Sequence, residues 1–214
     1  MIKGAIFDFD GTILDSMKVW DDLADKYLLS MGVEPPKGLK DTFALMSTRQ
    51  SARWIIDNLH VQKTEEEIMK GYDNQLSEYY KNEVELKLGF LDFFKKLKDR
   101  GVPCCIVTTN SRKNVEYALQ KYNLQDDFEF ILTCSEENTD KTKPYIYTKA
   151  AEMLKLQPSE VMVFEDSYHC IKTAKEADFR VCSVFDESNI EFLEASKEVA
   201  DYFTIDYKNL EEVY

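Results

Sequence analysis

Ala5-Ile6-Phe7-Asp8-Phe9-Asp10-Gly11-Thr12 decides how the rest of the chain reads. An apolar run too short for a helix, rich in strand formers, ends in two carboxylates two residues apart. Side chains alternate along a strand, so Asp8 and Asp10 point to the same side. Like charges that close repel, and burial sharpens the repulsion, so a cation or a shared proton is expected beside them. A hard divalent ion with oxygen ligands, most simply Mg²⁺, meets that need. Gly11 permits a sharp departure and Thr12 offers a hydroxyl. Taken alone, the stretch is also compatible with a turn carrying solvated acids.

Outward from this stretch, Cys104-Cys105-Ile106-Val107, Phe130-Ile131-Leu132, Val161-Met162-Val163-Phe164 and Val181-Cys182-Ser183-Val184-Phe185 have the same short, apolar character of strands buried on both faces. Phe90 to Arg100, Arg112 to Tyr122, Tyr145 to Leu154 and His169 to Ala177 show helical spacing between them, with Gly101 as a stop and Pro103 just before the next strand. This alternation predicts an α/β fold built on a parallel, Rossmann-like sheet. The rhythm breaks once. From about Ser16 to Asn82 there is no strand pattern, only amphipathic stretches at Trp20 to Met31, Thr48 to Leu59 and Thr64 to Tyr80. Thr64-Glu65-Glu66-Glu67 reads as a capping box. The expected organisation is a core of residues 1–15 and 83–214 with an all-helical insertion over residues 16–82.

Composition narrows the function classes. The 214 residues are 44% hydrophobic, which suits a globular core and excludes intrinsic disorder. Against 27 basic side chains stand 40 acidic ones, a net charge of −13 that repels nucleic acid and anionic lipid. An anionic ligand would have to be attracted locally. Five cysteines without CxxC spacing, mostly inside apolar runs, read as small buried hydrophobes and not as a disulfide framework or a zinc site. No stretch approaches a membrane span, and Met1-Ile2-Lys3 leads straight into a strand pattern, so a cytoplasmic protein is expected. A monomer is expected too, although no sequence feature bears on oligomeric state.

Three further strand ends carry polar groups where open parallel sheets bind ligands. Val107-Thr108-Thr109-Asn110-Ser111 closes the second strand in hydroxyls and an amide ahead of a helix, suited to phosphate oxygens, although N-capping explains an isolated stretch of this kind as well. Lys141-Thr142-Lys143-Pro144 places a cation directly before a helix-starting proline, and Phe164-Glu165-Asp166-Ser167 ends the fourth strand in paired acids.

In this order Asp8-Phe9-Asp10-Gly11-Thr12-Ile13-Leu14-Asp15-Ser16, Thr109, Lys143-Pro144 and Glu165-Asp166-Ser167 resemble the motifs of the haloacid dehalogenase superfamily, over nearly the whole chain. The insertion resembles the subgroup with a helical cap domain, which holds small phosphatases and β-phosphoglucomutases. The resemblance implies a Mg²⁺-dependent phosphatase of a small phosphorylated metabolite. In it Asp8 is the nucleophile that becomes an aspartyl-phosphate, and Asp10 is the general acid and then base. It further implies that Asp8, the Asp10 carbonyl and Asp166 hold Mg²⁺, with Glu165 as a further ligand or a partner through water. Thr109 and Asn110 would bind the phosphoryl group, and Lys143 would offset charge between nucleophile and phosphate. One dication and one lysine then supply the local attraction that a net charge of −13 demands.

Departures from the family pattern fall outside this set. Cys170 and Asp178 stand where glycine is frequent, and Leu45-Met46-Ser47-Thr48-Arg49-Gln50 aligns with a substrate-contacting loop of the cap, where Arg49 would grip a second anionic or hydroxylated group or else form a surface ion pair. His60 and His169 lack acid or cysteine partners at ligand spacing and read as structural or solvated. A phosphosugar mutase is the second reading, weakened because Ser16-Met17-Lys18-Val19-Trp20-Asp21 lacks the histidine such mutases carry there. A phosphate-binding regulatory module with little turnover is a third.

Overall fold

The computed structural model describes residues 2–43, 46, 48–208 and 210. In chain order they form β1 (Gly4–Phe7), β2 (Leu14–Asp15), α1 (Met17–Ser30), α2 (Leu39–Phe43), α3 (Thr48–Leu59), α4 (Glu65–Asn82) and β3 (Glu85–Leu86). There follow α5 (Phe90–Asp99), β4 (Cys104–Thr108), α6 (Arg112–Lys121), β5 (Ile131–Thr133), α7 (Tyr145–Met153), β6 (Val161–Glu165), α8 (Tyr168–Glu176), β7 (Arg180–Val184), α9 (Leu193–Val199) and β8 (Tyr202–Thr204). The chain divides into two compact units, Met1–Ser16 with Val84–Tyr214, and Met17–Glu83.

The first unit is an α/β structure around a parallel six-stranded sheet of order β5-β4-β1-β6-β7-β8. Every residue of β1, β4 and β6 is buried, which is why their sequences run apolar without alternation. Phe7 pairs in register with Ile106 on one side and Phe164 on the other. Its ring stacks on Phe164 at 4.5 Å, and α5 covers this surface with Phe90, Phe93, Phe94 and Leu97 at helical spacing. The sheet grows to one side of β1 through β4 and β5 and to the other through β6, β7 and β8. Such a reversal of chain order leaves a crevice at the strands' C-terminal ends, directly beyond Phe7, Thr108 and Glu165.

β8 and the small antiparallel pair β2–β3 were not expected from the sequence. In β8 only Thr204 is buried, so this edge strand carries no apolar run to announce it. The short helices α2 and α9 were not expected either, and the boundaries of the expected elements differ from the periodicity by a few residues at most.

The second unit contains α1 to α4. The capping box at the start of α4 is formed: the Thr64 N–H donates to Glu67 Oε2 at 2.8 Å and the Glu67 N–H to Thr64 Oγ1 at 3.2 Å. Gly71 sits inside α4, where glycine is a poor helix former, because the Tyr27 ring occupies the place of a side chain: a Cβ there would lie 2.0 Å from Cε2 of Tyr27. Tyr27 meets Tyr72 edge to face at 5.2 Å. No helix among the described residues is long and apolar enough to cross a membrane.

Candidate active site

β1 delivers Asp8 into the crevice, its backbone N–H still bonded to the Phe164 carbonyl at 3.0 Å. Two residues on, Gly11 turns the chain at φ +79°, a conformation suited to glycine, and a Cβ there would lie 2.5 Å from Asp166 Oδ2. The turn brings Thr12 to Asp166, its Oγ1 donating to Oδ1 at 3.3 Å. Asp166 Oδ2 accepts from Asn189 Nδ2 at 2.8 Å.

β6 ends in Glu165, which is buried against Lys141. The Lys141 ammonium contacts both the Asp8 and Glu165 carboxylates, while Glu165 also accepts the Tyr147 hydroxyl at 3.3 Å and the Ser167 N–H at 3.0 Å. Asp10 is held at both oxygens: Ser16 Oγ donates to Oδ1 at 2.6 Å and Asn110 Nδ2 to Oδ2 at 2.7 Å. Asn110 spends its other amide atom inside the protein as well, Oδ1 accepting from the Ser111 N–H at 2.8 Å and from Asn114 Nδ2 at 3.1 Å. Thr109 lies exposed just past the end of β4.

Asp8, Glu165 and Asp166 each offer an oxygen within 4.8 Å of the other two. Burial pushes the Asp8 carboxyl up to about 7, with Lys141 opposing and Glu165 adding to the rise. Burial likewise holds the Asp166 carboxyl well above the usual range, with Glu165 and Asp8 reinforcing it. Lys141 behaves in the opposite way: burial disfavours its charge, but the two carboxylates outweigh that and keep it an ammonium. One ammonium against three buried acids leaves charge to be neutralised, and an all-oxygen donor set fits a hard divalent cation.

Two assignments made from sequence are corrected here. The lysine in the site is Lys141, whose side chain is 4% exposed, and not Lys143, which is 69% exposed and 3.6 Å from Asp140 Oδ2. Asp140 accepts the Thr142 N–H at 2.9 Å and its hydroxyl, making a local turn, and the chain leaves that turn with Lys143 outward, just before Pro144 and α7. The Asp-x-Thr pattern is visible in the sequence, and Lys141 is the residue it encloses, whereas Lys143 follows the turn. Asn110, expected to bind phosphate, has its amide engaged by Asp10, Ser111 and Asn114.

Residues 5–184 match the family model for haloacid dehalogenase-like hydrolases. The chain belongs to that family. Pyrophosphatase PpaX of Bacillus cereus (strain B4264) is 25% identical over 183 residues, covering 86% of this chain and 83% of that protein. Among solved structures of similar fold, CbbY from Rhodobacter sphaeroides in complex with phosphate gives a TM-score of 0.77 at 19% identity, covering 99% of this chain and 97% of that one. β-Phosphoglucomutase from Clostridium difficile gives 0.70 at 18% identity, covering 99% and 94%.

In this haloacid dehalogenase-like hydrolase, Arg49 of the second unit is ion-paired with Glu65, which Arg53 also approaches at 3.4 Å. Of the loop around it, Leu45 and Ser47 lie outside the described residues. His169 is exposed and meets the Tyr168 and Phe192 rings at 5.5 Å. The five cysteines are free, four of them buried, and burial pushes the Cys104 thiol up to about 12. Ser16 stands in the first motif without a role assigned to it, and Tyr147 and Asn189 carry no sequence signal, because a lone hydroxyl or amide in a loop or helix makes no pattern of its own.

Proposed function

We propose that this phosphatase of the haloacid dehalogenase-like family cleaves a small phosphate monoester in two steps through an aspartyl-phosphate on Asp8, with Mg²⁺ as cofactor. The single observation that carries the reading is the buried Asp8–Lys141–Glu165 contact, an acid held beside one ammonium at a crevice. Asp8, Asp166 and the Asp10 carbonyl are the residues proposed to hold Mg²⁺; Glu165, already bonded to Lys141, Tyr147 and Ser167, supports them from behind. Bound Mg²⁺ would supply positive charge to the phosphoryl oxygens.

Asp8 forms a bond to phosphorus while the bond to the leaving oxygen breaks, and Asp10 gives that oxygen its proton. Water then attacks the phosphorus, its proton returning to Asp10, and the Asp8–phosphorus bond breaks to release phosphate. Lys141 lowers the repulsion between the Asp8 carboxylate and the incoming anion. The Thr109 hydroxyl and backbone N–H, just past the end of β4, are proposed to bind phosphoryl oxygens, the N–H groups of Asn110 and Ser111 being held by Thr108 Oγ1 and Asn110 Oδ1. The helical second unit is proposed to act as the cap that excludes bulk water, with Arg49 as a residue toward the remainder of the substrate.

The test is phosphate release from a panel of sugar phosphates, nucleotides and aryl phosphates with and without Mg²⁺. Turnover should require Mg²⁺, vanish on chelation and be abolished in Asp8→Asn. No release from any compound in the panel, or turnover surviving Asp8→Asn, rejects the reading.

A further inference from the structure

Lys87, Asp186, Ser188 and Asn189 form a polar network that lies outside all the strand-end motifs. Lys87 follows β3, is largely buried, and donates to Asp186 Oδ2 at 2.7 Å and to the Phe185 carbonyl at 3.0 Å. Asp186 Oδ1 accepts the Ser188 N–H at 2.9 Å and the Ser188 hydroxyl at 2.6 Å, and the Asn189 N–H closes onto the Asp186 carbonyl at 3.1 Å. At Asn189 the backbone leaves helical geometry, with φ −108° and ψ 19°. The outcome of this local fold is an amide aimed at a carboxylate: Asn189 Nδ2 lies 2.8 Å from Asp166 Oδ2 and 3.3 Å from Ser188 Oγ.

We propose that Asn189 is the positioning residue of the cation site, fixing the Asp166 carboxylate through an amide donor that the buried Lys87–Asp186 pair holds in place. The inference rests on the Mg²⁺ reading above. Asp166 has one oxygen under Thr12 at 3.3 Å and the other under Asn189 at 2.8 Å, so the shorter constraint comes from Asn189. A neutral donor suits the task. A lysine or arginine in that place would neutralise Asp166 and compete with the dication, whereas an amide orients the carboxylate and leaves each oxygen a lone pair for the metal. Lys87 puts its charge on Asp186 instead, one step removed, where it stiffens the turn without reducing the negative charge offered to the ion.

Thermal unfolding of the full chain across a Mg²⁺ titration, without substrate, tests this by comparing the unsubstituted protein with Asn189→Ala. The melting temperature without Mg²⁺ should be nearly the same for both, and the Mg²⁺ concentration giving half of the stabilisation should rise about tenfold in the variant. The Mg²⁺ concentration for half-maximal phosphate release should shift by the same factor, with kcat restored at saturation. Asn189→Ser, too short to reach Asp166 yet suited to a turn, gives the same reading if Asn189→Ala does not fold. A midpoint within twofold of the unsubstituted protein overturns the inference alone, as does a lower melting temperature with an unmoved midpoint, which would mark a structural role. Absence of any Mg²⁺ effect on the unsubstituted protein overturns the metal reading and the inference with it.

Discussion

The Lys141 ammonium contacts the Asp8 carboxylate across 133 residues of sequence, in a place where both are buried. A buried ammonium is costly unless paired, and Lys141 is paired twice, with Asp8 and Glu165. Substituting Lys141→Met keeps the apolar stem and removes the charge. Phosphate release should fall by about 10²- to 10³-fold, whereas Lys143→Ala, at an exposed ion pair, should stay within about twofold of the unsubstituted rate. Equal losses in the two variants would contradict the placement of the lysine.

Asp10 is gripped from two sides by Ser16 and Asn110, and the proposed proton transfers need its carboxyl at a fixed point. Asn110→Ala should therefore lower kcat by roughly 10- to 100-fold, within the range that a positioned acid–base group contributes, while KM changes little. A rise in KM at unchanged kcat would instead make Asn110 a substrate-binding residue, as the sequence had suggested.

The capping box of α4 gives the second unit a measurable response to acid. The Thr64 N–H bonded to Glu67, with Lys63 nearby, holds the Glu67 carboxyl below its usual value of 4.5. A carboxyl depressed in the folded state stabilises fully above its unfolded value, and that contribution is lost as pH falls through the lower, folded value. The melting-temperature gap between the unsubstituted protein and Glu67→Gln should be constant at neutral pH and shrink below about 4.5. A gap that does not change with pH would show that the charge on Glu67 contributes nothing.

What could be read in the sequence followed burial. The central strands announced themselves because both faces of β1, β4 and β6 are covered, and Asp8, Glu165 and Asp166 were legible as acids at the ends of those runs. The edge strand β8, with one buried residue, gave no such signal. The two lysines of the 141–144 segment could not be told apart by adjacency to Pro144, since the turn made by Asp140 and Thr142 decides which one enters the crevice. Asn189 was hidden for another reason: what makes it face Asp166 is a pair between Lys87 and Asp186, 99 residues apart.

Asp178, noted as a departure from a frequent glycine, ends α8 in the left-handed region with φ +65°. Its N–H bonds to the Lys175 carbonyl at 3.1 Å and the Phe179 N–H to the Ala174 carbonyl at 3.1 Å, which closes the helix before β7 begins at Arg180. The following Phe179 is buried, so the turn cannot relax without moving a core ring. A side chain in that conformation is strained relative to glycine, by about 1 kcal/mol. Glycine also has more freedom to lose on folding, which offsets part of the gain. Asp178→Gly should therefore raise the melting temperature by a degree or two and leave phosphate release unchanged, because the exposed Asp178 side chain has no part in the proposed chemistry. A fall in melting temperature on this substitution would mean that the aspartate side chain stabilises the turn by more than its backbone strain costs.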